Sequence, residues 1–424
     1  MEAAALYVLV VGAVIVCAIL SKAGLDRLGL PDLLGYLVIG VLLRELDAAL
    51  GLLPETGGQV LTFLSDLGII AILFRVGLRC NVTQLIERLP GATFIGLINV
   101  VASGGIGFAA AYYALDLSLV AGLFIAVALT TTSVGVSAHV WQRYRALGTR
   151  EGEMMLDVAE IDDLTGVVLL TVLAAMVPHL QDLTALLSDL SHEAHVEGLV
   201  WTLARTFGTT LLKLGMVTMA GMLFAHYLER PLTQTLASIQ PRTDTMLIVL
   251  GVGLVVAGTT ALLGFPVAIG GFFAGLIFSR DPMAVKFDAS FDSLYDLFVP
   301  FFFVGIGIAV DVDTLGPALV PALVLLIAAV VGKGLGSYVP ARATMPAESA
   351  GLLAVSLLPR SEITLVVIER GLELGVVPQR AFTWMVLVVV ATMVGIPLLL
   401  RVVLPDRWRN QGNPEAASSA PKEP

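Results

Sequence analysis

Apolar stretches of about twenty residues, separated by short polar segments, follow one another along almost the whole chain. A helix needs about 20 consecutive apolar residues to cross a bilayer, so each stretch predicts a membrane-spanning helix. The composition agrees, because 57% of the 424 residues are hydrophobic and only 14% are charged, against about 25% charged in soluble proteins. We expect an all-α membrane protein with about thirteen spans, near 4–22, 29–46, 59–79, 91–115, 119–140, 152–177, 198–227, 244–263, 265–279, 296–310, 318–339, 348–368 and 378–403.

Lysine and arginine residues are concentrated in the loops after odd-numbered spans, whereas the opposite loops hold only Arg44, Arg370 and Arg380. The positive-inside rule therefore predicts an N-terminus outside and a C-terminus in the cytoplasm. An odd number of spans also requires the two ends to lie on opposite sides of the membrane, so the two inferences agree. We expect a multi-pass protein of the cell's inner (plasma) membrane. The polar tail over 406–424, with its Ala, Ser and Pro clusters, is predicted to be disordered.

Spans 2 and 3 have counterparts about 230 residues further along the chain, in spans 9 and 10. LPDLLGYLVIGVLL aligns with FPVAIGGFFAGLIF, which pairs Pro31 with Pro266 and Gly40 with Gly275. LSDLGIIAILFRVGL aligns with LYDLFVPFFFVGIGI, which pairs Gly77 with Gly307. Spans 1–6 thus correspond to spans 8–13, and an offset of seven spans makes the two repeats inverted. Inverted repeats with interrupted helices near the bilayer midplane are typical of secondary transporters.

Two spans at equivalent positions of the repeats contain residues that interrupt a helix. Span 5 has a run of hydroxyl side chains at its centre, and span 12 has the segment LPRSEIT, which includes Pro359. Proline removes a backbone donor, and hydroxyl groups can satisfy the backbone groups that a break leaves free. We therefore predict a break in each span, at Thr130, Thr131, Thr132 and Ser133 in the first and at Pro359, Arg360, Ser361 and Glu362 in the second.

Two adjacent carboxylates, Asp162 and Asp163, lie about ten residues inside span 6. An ionisable group in the middle of the bilayer costs a few kcal/mol and is by default a functional hypothesis. Lys333 in span 11 lies among glycines 332, 334 and 336, which are expected to permit close helix approach. It is the obvious partner for one aspartate and leaves the other to bind a cation or a proton. Asp157 and Glu160 on the same span are candidates for a supporting role. Of the other basic residues inside spans, Arg75 is expected to form a structural pair, and Arg205 and Lys213 to anchor span 7 at the interface.

These segments, together with EIDDLTGVV, TTTSVGVSA and VVGKGLG, resemble the cation–proton antiporters over nearly the whole chain. The most similar group is the bacterial NapA-type sodium/proton antiporters of the second monovalent cation–proton antiporter superfamily. The resemblance implies two inverted six-helix repeats with crossed discontinuous helices, as in the NhaA/NapA-like fold. It also implies roles for individual residues. Asp162 and Asp163 would be the family's aspartate pair and Na⁺ site, and Lys333 would be its partner lysine. Thr131 and Thr132 would lie in the first crossover, and Arg360 and Glu362 would flank the second crossover.

The resemblance also implies how the chain is organised, within a transmembrane domain over 1–405. Such antiporters are usually homodimers in which a core domain slides like an elevator against a dimerisation scaffold. The scaffold would be formed by about 1–80 and 244–310, the core by about 91–177 and 318–403, and 198–227 would link the repeats. Glu160, Arg75 and Arg79 depart from the family's usual residues. We expect no regulatory nucleotide-binding domain of the kind that follows the similar membrane part of KefC-type systems.

The favoured hypothesis is exchange of monovalent cations, Na⁺ or Li⁺, for protons, with no cofactor, no enzymatic activity and no nucleic-acid partner. Two protons per cation would make the exchange electrogenic. K⁺/H⁺ antiport remains open, because carboxylate and hydroxyl oxygens bind both ions. A cation channel and an intramembrane aspartyl protease are alternatives from other classes. The protease is disfavoured because its two acids come from different helices, whereas Asp162 and Asp163 are neighbours on one.

Overall fold

A computed structural model describes residues 2–28, 30–51, 55–79, 82–143, 145–188, 245–262, 267–279 and 284–403, together with scattered single residues between 201 and 231. These residues form α-helices and short helical turns, and no strand occurs among them. The helices are α1 (Glu2–Leu28), α2 (Leu33–Leu50), α3 (Glu55–Arg79), α4 (Val82–Ala109), α5 (Leu119–Ala128), α6 (Val134–Arg143), α7 (Arg150–Ser188), α8 (Thr245–Leu262), α9 (Val267–Phe278), α10 (Ala284–Ala309), α11 (Leu315–Ala341), α12 (Ala347–Ser356), α13 (Glu362–Glu373) and α14 (Gln379–Val403). A π-helical turn (Ala110–Ala114) continues α4, and a 3-10 turn (Val312–Thr314) precedes α11.

Seven helices in the described part of the chain are long and apolar enough to cross a membrane: α1, α3, α4, α7, α10, α11 and α14. Three shorter apolar helices, α5, α8 and α9, accompany them. The predicted linker span at 198–227 and the tail at 406–424 lie outside the described residues, apart from single positions in the linker. The tenth span was predicted at 296–310, and its helix proves longer, because α10 runs over Ala284–Ala309 and its apolar part over Phe291–Ala309.

The stretches expected as spans 5 and 12 are each divided into two half-helices. Residues 129–133 separate α5 from α6, and residues 357–361 separate α12 from α13. The first gap contains the hydroxyl run and the second contains Pro359 and Arg360, the residues that indicated an interruption in the sequence. Each gap therefore exposes the end of one half-helix and the start of another, where backbone groups have no partner inside the helix.

The helices group into two compact units. The first unit comprises Met1–Gln84 and Thr171–Val312, and the second comprises Leu85–Leu170 and Asp313–Pro424. Each unit draws on both halves of the sequence, so distant segments pack together in both. In the first unit α3 packs against α9 and α10, and α10 also packs against α2.

Glycine allows two helix crossings in the first unit. A Cβ atom at Gly40 would lie 2.8 Å from Cα of Gly307 and 2.1 Å from the Val304 carbonyl oxygen, which shows that α2 and α10 touch through their backbones. A Cβ at Gly77 would lie 2.1 Å from the Phe272 oxygen, so α3 and α9 touch in the same way. The glycine of α9 at this second crossing is Gly275. The four glycines are the ones that the predicted repeat pairs, and each predicted pair contributes one glycine to each crossing.

Three basic side chains of the first unit have defined partners. Arg75 Nη2 donates to Asp292 Oδ1 at 2.7 Å and its guanidinium lies over the Tyr295 ring, so the expected structural pair is confirmed. Lys22 forms an ion pair with Asp296 at 3.0 Å. Arg44 donates to the carbonyl oxygen of Val310 at 2.7 Å, next to the C-terminal end of α10.

In the second unit, contacts between α6 and α12 hold the two interrupted segments together. Trp141 is fully buried and donates its indole N–H to Ser356 Oγ at 2.9 Å, while Ser137 donates to the Ser356 carbonyl oxygen. Ser356 is the last residue of α12, directly before the second gap. These contacts fix the half-helix α6 against the half-helix α12 and thereby hold the two gaps close to each other.

Candidate functional site

Asp162 is completely buried on α7, and one of its oxygens accepts three hydrogen bonds. Oδ2 accepts from Lys333 Nζ at 2.8 Å, from Thr132 Oγ1 at 2.7 Å and from Asn99 Nδ2 at 2.9 Å. Lys333 is also completely buried, so the pair is an ion pair shielded from solvent. Such a pair is tolerated only when further hydrogen bonds satisfy the charges, and Thr132 and Asn99 supply them on the acid.

Glycines on α11 bring Lys333 to this acid. A Cβ atom at Gly332 would lie 3.0 Å from Cα of Ser103, and one at Gly336 would lie 2.9 Å from Cα of Asn99. The backbones of α4 and α11 therefore approach closely on both sides of Lys333. The nearest atom to a Cβ at Gly334 is 4.0 Å away. Of the three glycines around Lys333, the expectation of a close helix approach thus holds for Gly332 and Gly336 and was wrong for Gly334.

Cationic and hydroxyl groups donate hydrogen bonds to the carbonyl oxygens of the first gap. Lys333 Nζ donates to the Thr130 oxygen, and both Arg360 Nη1 and Ser103 Oγ donate to the Leu129 oxygen. Arg360 is fully buried in the second gap, where its Nε also donates to the Leu358 oxygen at 3.0 Å. A single guanidinium thus satisfies carbonyl groups at the ends of both α5 and α12, where the helix dipoles are negative.

The two gaps contact each other directly. The backbone N–H of Ser133 donates to the Pro359 oxygen at 2.9 Å, and the hydroxyls of Thr131 and Thr364 are 2.7 Å apart. Gly166 on α7 leaves room for this contact, because a Cβ there would lie 2.3 Å from Cγ2 of Thr131. The helix that carries both aspartates therefore passes directly beside the first gap.

Asp163 has a different environment from Asp162. It is only partly buried, and its Oδ1 accepts a long hydrogen bond of 3.4 Å from the backbone N–H of Thr132. Oδ1 of Asp162 is buried and has no hydrogen-bond partner among the described residues. Thr132 thus bridges the two carboxylates, with its hydroxyl on Asp162 and its backbone on Asp163. The two acids are neighbours in sequence, but one is held by several donors and the other is accessible.

The remaining predicted residues lie around this centre. Glu362 is the first residue of α13, where a carboxylate is favourable at the helix N-terminus. Asp157 and Glu160 are partly exposed on α7, in the turns that precede the aspartates. Arg205 is exposed, and Lys213 lies outside the described residues.

Three contributors to the site were not identified from the sequence: Asn99 and Ser103 on α4, and Thr364 on α13. Asn99 could have been identified from the sequence, since an amide inside an apolar span must find a hydrogen-bond partner or lose its hydrogen bonds. Ser103 and Thr364 give no such signal, because serine and threonine are common in membrane helices and can bond to their own backbone.

The fold and the site define a class of protein: a helical membrane transporter with two interrupted helices and two adjacent carboxylates beside them. The chain matches the family model for the transmembrane part of sodium/hydrogen exchangers over residues 12–405. It therefore belongs to the sodium/hydrogen exchanger family, whose members are cation/proton antiporters rather than enzymes.

Proteins with similar sequences or structures support this family assignment. The high-affinity Na⁺/H⁺ antiporter NhaS3 of Synechocystis sp. is 26% identical over 414 residues, which cover 89% of this chain and 85% of that protein. The Na⁺/H⁺-K⁺ antiporter GerN of Bacillus cereus is 25% identical over 390 residues, with 88% and 90% of the two chains covered. The fold is similar to that of the sodium proton antiporter MjNhaP1 of Methanocaldococcus jannaschii, with a TM-score of 0.65, 14% identity, and 94% and 96% of the two chains covered.

Proposed function

We propose that this protein is a secondary active antiporter that exchanges Na⁺, or Li⁺, for protons by alternating access, with net movement of charge. The observation that carries the proposal is the pair of adjacent aspartates beside two helix interruptions. One acid is buried against Lys333, and the other is partly accessible. Carboxylates inside a membrane span must be neutralised by protons or by a cation before they can move through a low-dielectric region.

Asp163 is the acid best suited to bind the transported cation. It has one long hydrogen bond, from Thr132, and it is partly accessible. The carbonyl oxygens of Leu129 and Thr130 already accept from Arg360, Ser103 and Lys333. A cation would therefore use carboxylate oxygen in preference to these carbonyls. Because a proton and a cation compete for one carboxylate, each transport cycle exchanges one for the other.

Lys333 supplies the second proton in this proposal. Its ammonium is held by Asp162 and by the Thr130 carbonyl oxygen. When a cation binds beside Asp162, the ammonium and the cation compete for the same negative charge, and release of the lysine proton removes the conflict. Two protons then exchange for one cation. The net charge moved is worth about 2.3 kcal/mol per 100 mV of membrane potential.

The division of the chain into two units favours an elevator mechanism. All of the hydrogen bonds around Asp162 and both gaps belong to the second unit, which comprises Leu85–Leu170 and Asp313–Pro424. We propose that this unit moves as the core. The first unit would be the scaffold and the contact surface of a homodimer, with the N-terminus outside the plasma membrane and the C-terminus in the cytoplasm.

K⁺/H⁺ antiport is the second candidate, and the relatives supply a specific reason to test it. The name of GerN includes K⁺. The KhtU subunit of Bacillus subtilis, a K⁺/H⁺ antiporter subunit, is 22% identical over 376 residues, with 86% of each chain covered. An aspartyl protease is disfavoured, since its two acids must share a proton and activate water between them, whereas Asp162 Oδ2 already accepts three donors.

The test is exchange in proteoliposomes that contain a pH-sensitive dye, with Na⁺, Li⁺, K⁺ or choline added outside after acid loading. We expect Na⁺ and Li⁺ to collapse the proton gradient and choline to leave it unchanged. An imposed membrane potential should change the rate if the exchange is electrogenic. A response to K⁺ alone would favour the second candidate, and cation currents that need no counter-ion would contradict antiport.

A further inference from the structure

Thr364 on α13 uses its hydroxyl differently from three other buried threonines. Thr260, Thr383 and Thr392 each donate to a carbonyl oxygen of the preceding turn of their own helix, which is a common bond for a threonine inside a helix. Thr364 lies in the first turn of α13, so no helical turn precedes it. Its hydroxyl lies instead 2.7 Å from Oγ1 of Thr131, a residue of the first gap.

The hydrogen in this bond comes from Thr364. A hydroxyl group has one hydrogen to donate, and Thr131 donates its own to the Ala128 carbonyl oxygen at 3.1 Å. Thr364 therefore donates to Thr131. Arg360 and Ser133 also connect the two gaps to each other, but Thr364 reaches the first gap from within a regular helix. The bond thus ties the first gap, residues 129–133, to the half-helix α13.

Thr131 is held on two sides by the two branches of its side chain. Its hydroxyl accepts from Thr364 on α13, and its methyl group packs against Gly166 of α7, where a Cβ atom would clash with it. Ile363 of α13 also reaches this point, because its Cγ2 would lie 3.8 Å from the same Cβ. The Thr131 side chain therefore fills the space between α7 and α13, and the first gap has little freedom to move relative to α7.

The residue that follows Thr131 contacts both aspartates. Thr132 donates its hydroxyl to Asp162 Oδ2 at 2.7 Å and its backbone N–H to Asp163 Oδ1 at 3.4 Å. Adjacent Cα atoms are about 3.8 Å apart, so a displacement of Thr131 moves these two contacts with it. Thr364 donates to Thr131 rather than to an aspartate, and it controls the spacing between the first gap and the two acids through that residue.

The geometry points to Thr364 as a positioning residue that sets the cation selectivity of exchange, because it holds the first gap at a fixed spacing from Asp162 and Asp163. The role rests on the proposed function, in which a monovalent cation binds at Asp163. Oxygen ligands that are held in place discriminate between cations by size, whereas flexible ligands adjust to several sizes. Li⁺, Na⁺ and K⁺ carry the same charge and differ in size, so the rigidity of the gap decides between them.

Thr364→Val keeps the branched shape and removes the hydroxyl that donates to Thr131. The first gap can then adjust to ions of other sizes, so the KM values for the preferred cation and for the other cations should converge. One neutral hydrogen bond changes an equilibrium constant by roughly 3- to 10-fold, and the ratio of the KM values should fall by that factor. Thr364→Ser keeps the hydroxyl and should keep the wild-type ratio. Thr364→Ala removes the donor without adding a methyl group, and it replaces the valine variant if that variant does not fold.

Thr383→Val is the matched control. Thr383 is completely buried on α14 in the same unit, and its hydroxyl donates within its own helix to the Gln379 oxygen at 3.3 Å. The substitution is chemically the same as Thr364→Val, but the bond that it removes connects no second segment. The ratio of the KM values should therefore stay at that of wild type.

The experiment measures KM and the maximal rate for Na⁺, Li⁺ and K⁺ in proteoliposomes that contain wild type or one of the four variants. A lower ratio of KM values in Thr364→Val and Thr364→Ala, with the wild-type ratio in Thr364→Ser and Thr383→Val, supports the assignment. An unchanged ratio in the valine and alanine variants overturns it, even if the maximal rate falls equally for every cation, because that result describes a side chain that only supports folding. Loss of selectivity in Thr364→Ser also overturns it, since this variant retains the hydroxyl.

Hydrogen–deuterium exchange measured by mass spectrometry tests the contact without transport. The backbone N–H groups of residues 130–133 should lose protection in Thr364→Val and keep it in Thr364→Ser and Thr383→Val, since a segment that loses a tie opens more often. If wild type transports no cation, the proposed function fails, and the protection of these groups still decides whether Thr364 holds the first gap. Wild-type protection in Thr364→Val overturns the assignment whatever the transport result.

Discussion

Lys333 and Asp162 are 171 residues apart in the sequence, and their side chains form a 2.8 Å ion pair with no exposed surface. The pair joins α11 to α7, which lie in opposite halves of the sequence. Removal of both charges from water costs several kcal/mol per ion, and the attraction between them offsets this only with additional hydrogen bonds. The pair therefore contributes little net stability, whereas removal of only one of its two charges should destabilise the protein.

Lys333→Gln should change the coupling of transport while the protein still folds. Without the ammonium, only one proton can leave per cation, so exchange should become weak or electroneutral. The variant should also be destabilised by about 3–5 kcal/mol, because Asp162 is left as a buried charge without its ion-pair partner. Current recordings on proteoliposomes and melting curves in detergent measure the two effects. Wild-type electrogenic current in this variant would show that Lys333 has another role.

The double variant Lys333→Gln with Asp162→Asn should be more stable than Lys333→Gln alone. Replacement of both partners by neutral groups removes the buried charge that the single substitution strands. Asn99, Thr132 and Lys333 all donate to the same oxygen of Asp162, so one donor is lost and two remain to an amide. Equal melting temperatures for the single and double variants would contradict this account of the pair.

Asp163→Asn should abolish cation-dependent proton movement and leave the free energy of unfolding within about 0.5 kcal/mol of wild type, because the substitution keeps the shape of a partly exposed side chain. The side chain is partly exposed, and its described hydrogen bond is a long one, 3.4 Å from Thr132 N. Glu153→Gln is the matched control, since Glu153 is exposed near the start of the same helix. Cation-dependent proton movement that persists in Asp163→Asn would exclude Asp163 as the cation site.

Gly166→Ala should impair exchange through a clash with the first gap. The new methyl group would lie 2.3 Å from Cγ2 of Thr131, so either α7 or the gap must shift. Overpacking of this kind costs about 1–3 kcal/mol, partly offset by the higher helix propensity of alanine. Thr131→Ser in the same protein removes the clashing methyl and keeps the hydroxyl that faces Thr364. Exchange should recover in this double variant, and failure to recover would show that the clash is not the cause.

Gly40→Ala should lower the thermal stability, because its Cβ would meet the backbone oxygen of Val304 at 2.1 Å, and a backbone cannot rotate away. Gly251→Ala on α8 is the control, as a Cβ there meets nothing within 4 Å. The control should be stabilised by about 0.5–1 kcal/mol through helix propensity. Melting temperatures of the two variants that move in the same direction would contradict the close crossing of α2 and α10.

Much of the site could be predicted from the sequence, because its charged and polar residues lie within otherwise apolar spans. Two adjacent aspartates, a lysine and an arginine in apolar spans are costly wherever they lie, so they stand out in the sequence. Pro359 and the run of hydroxyls marked the two interruptions for the same reason, since each breaks or replaces helical hydrogen bonds. The pairing of Lys333 with one aspartate followed from the need to neutralise a buried charge.

The helical class and the charged groups could be predicted from the sequence, since hydrophobic length and the cost of buried charge can be read along a single chain. Only the tertiary structure decided that three donors meet on one oxygen of Asp162, that Asn99 is one of them, and that Gly166 leaves room for Thr131. These contacts join residues from separate helices. Their distances depend on how the helix backbones pack, and no local pattern in the sequence encodes that packing.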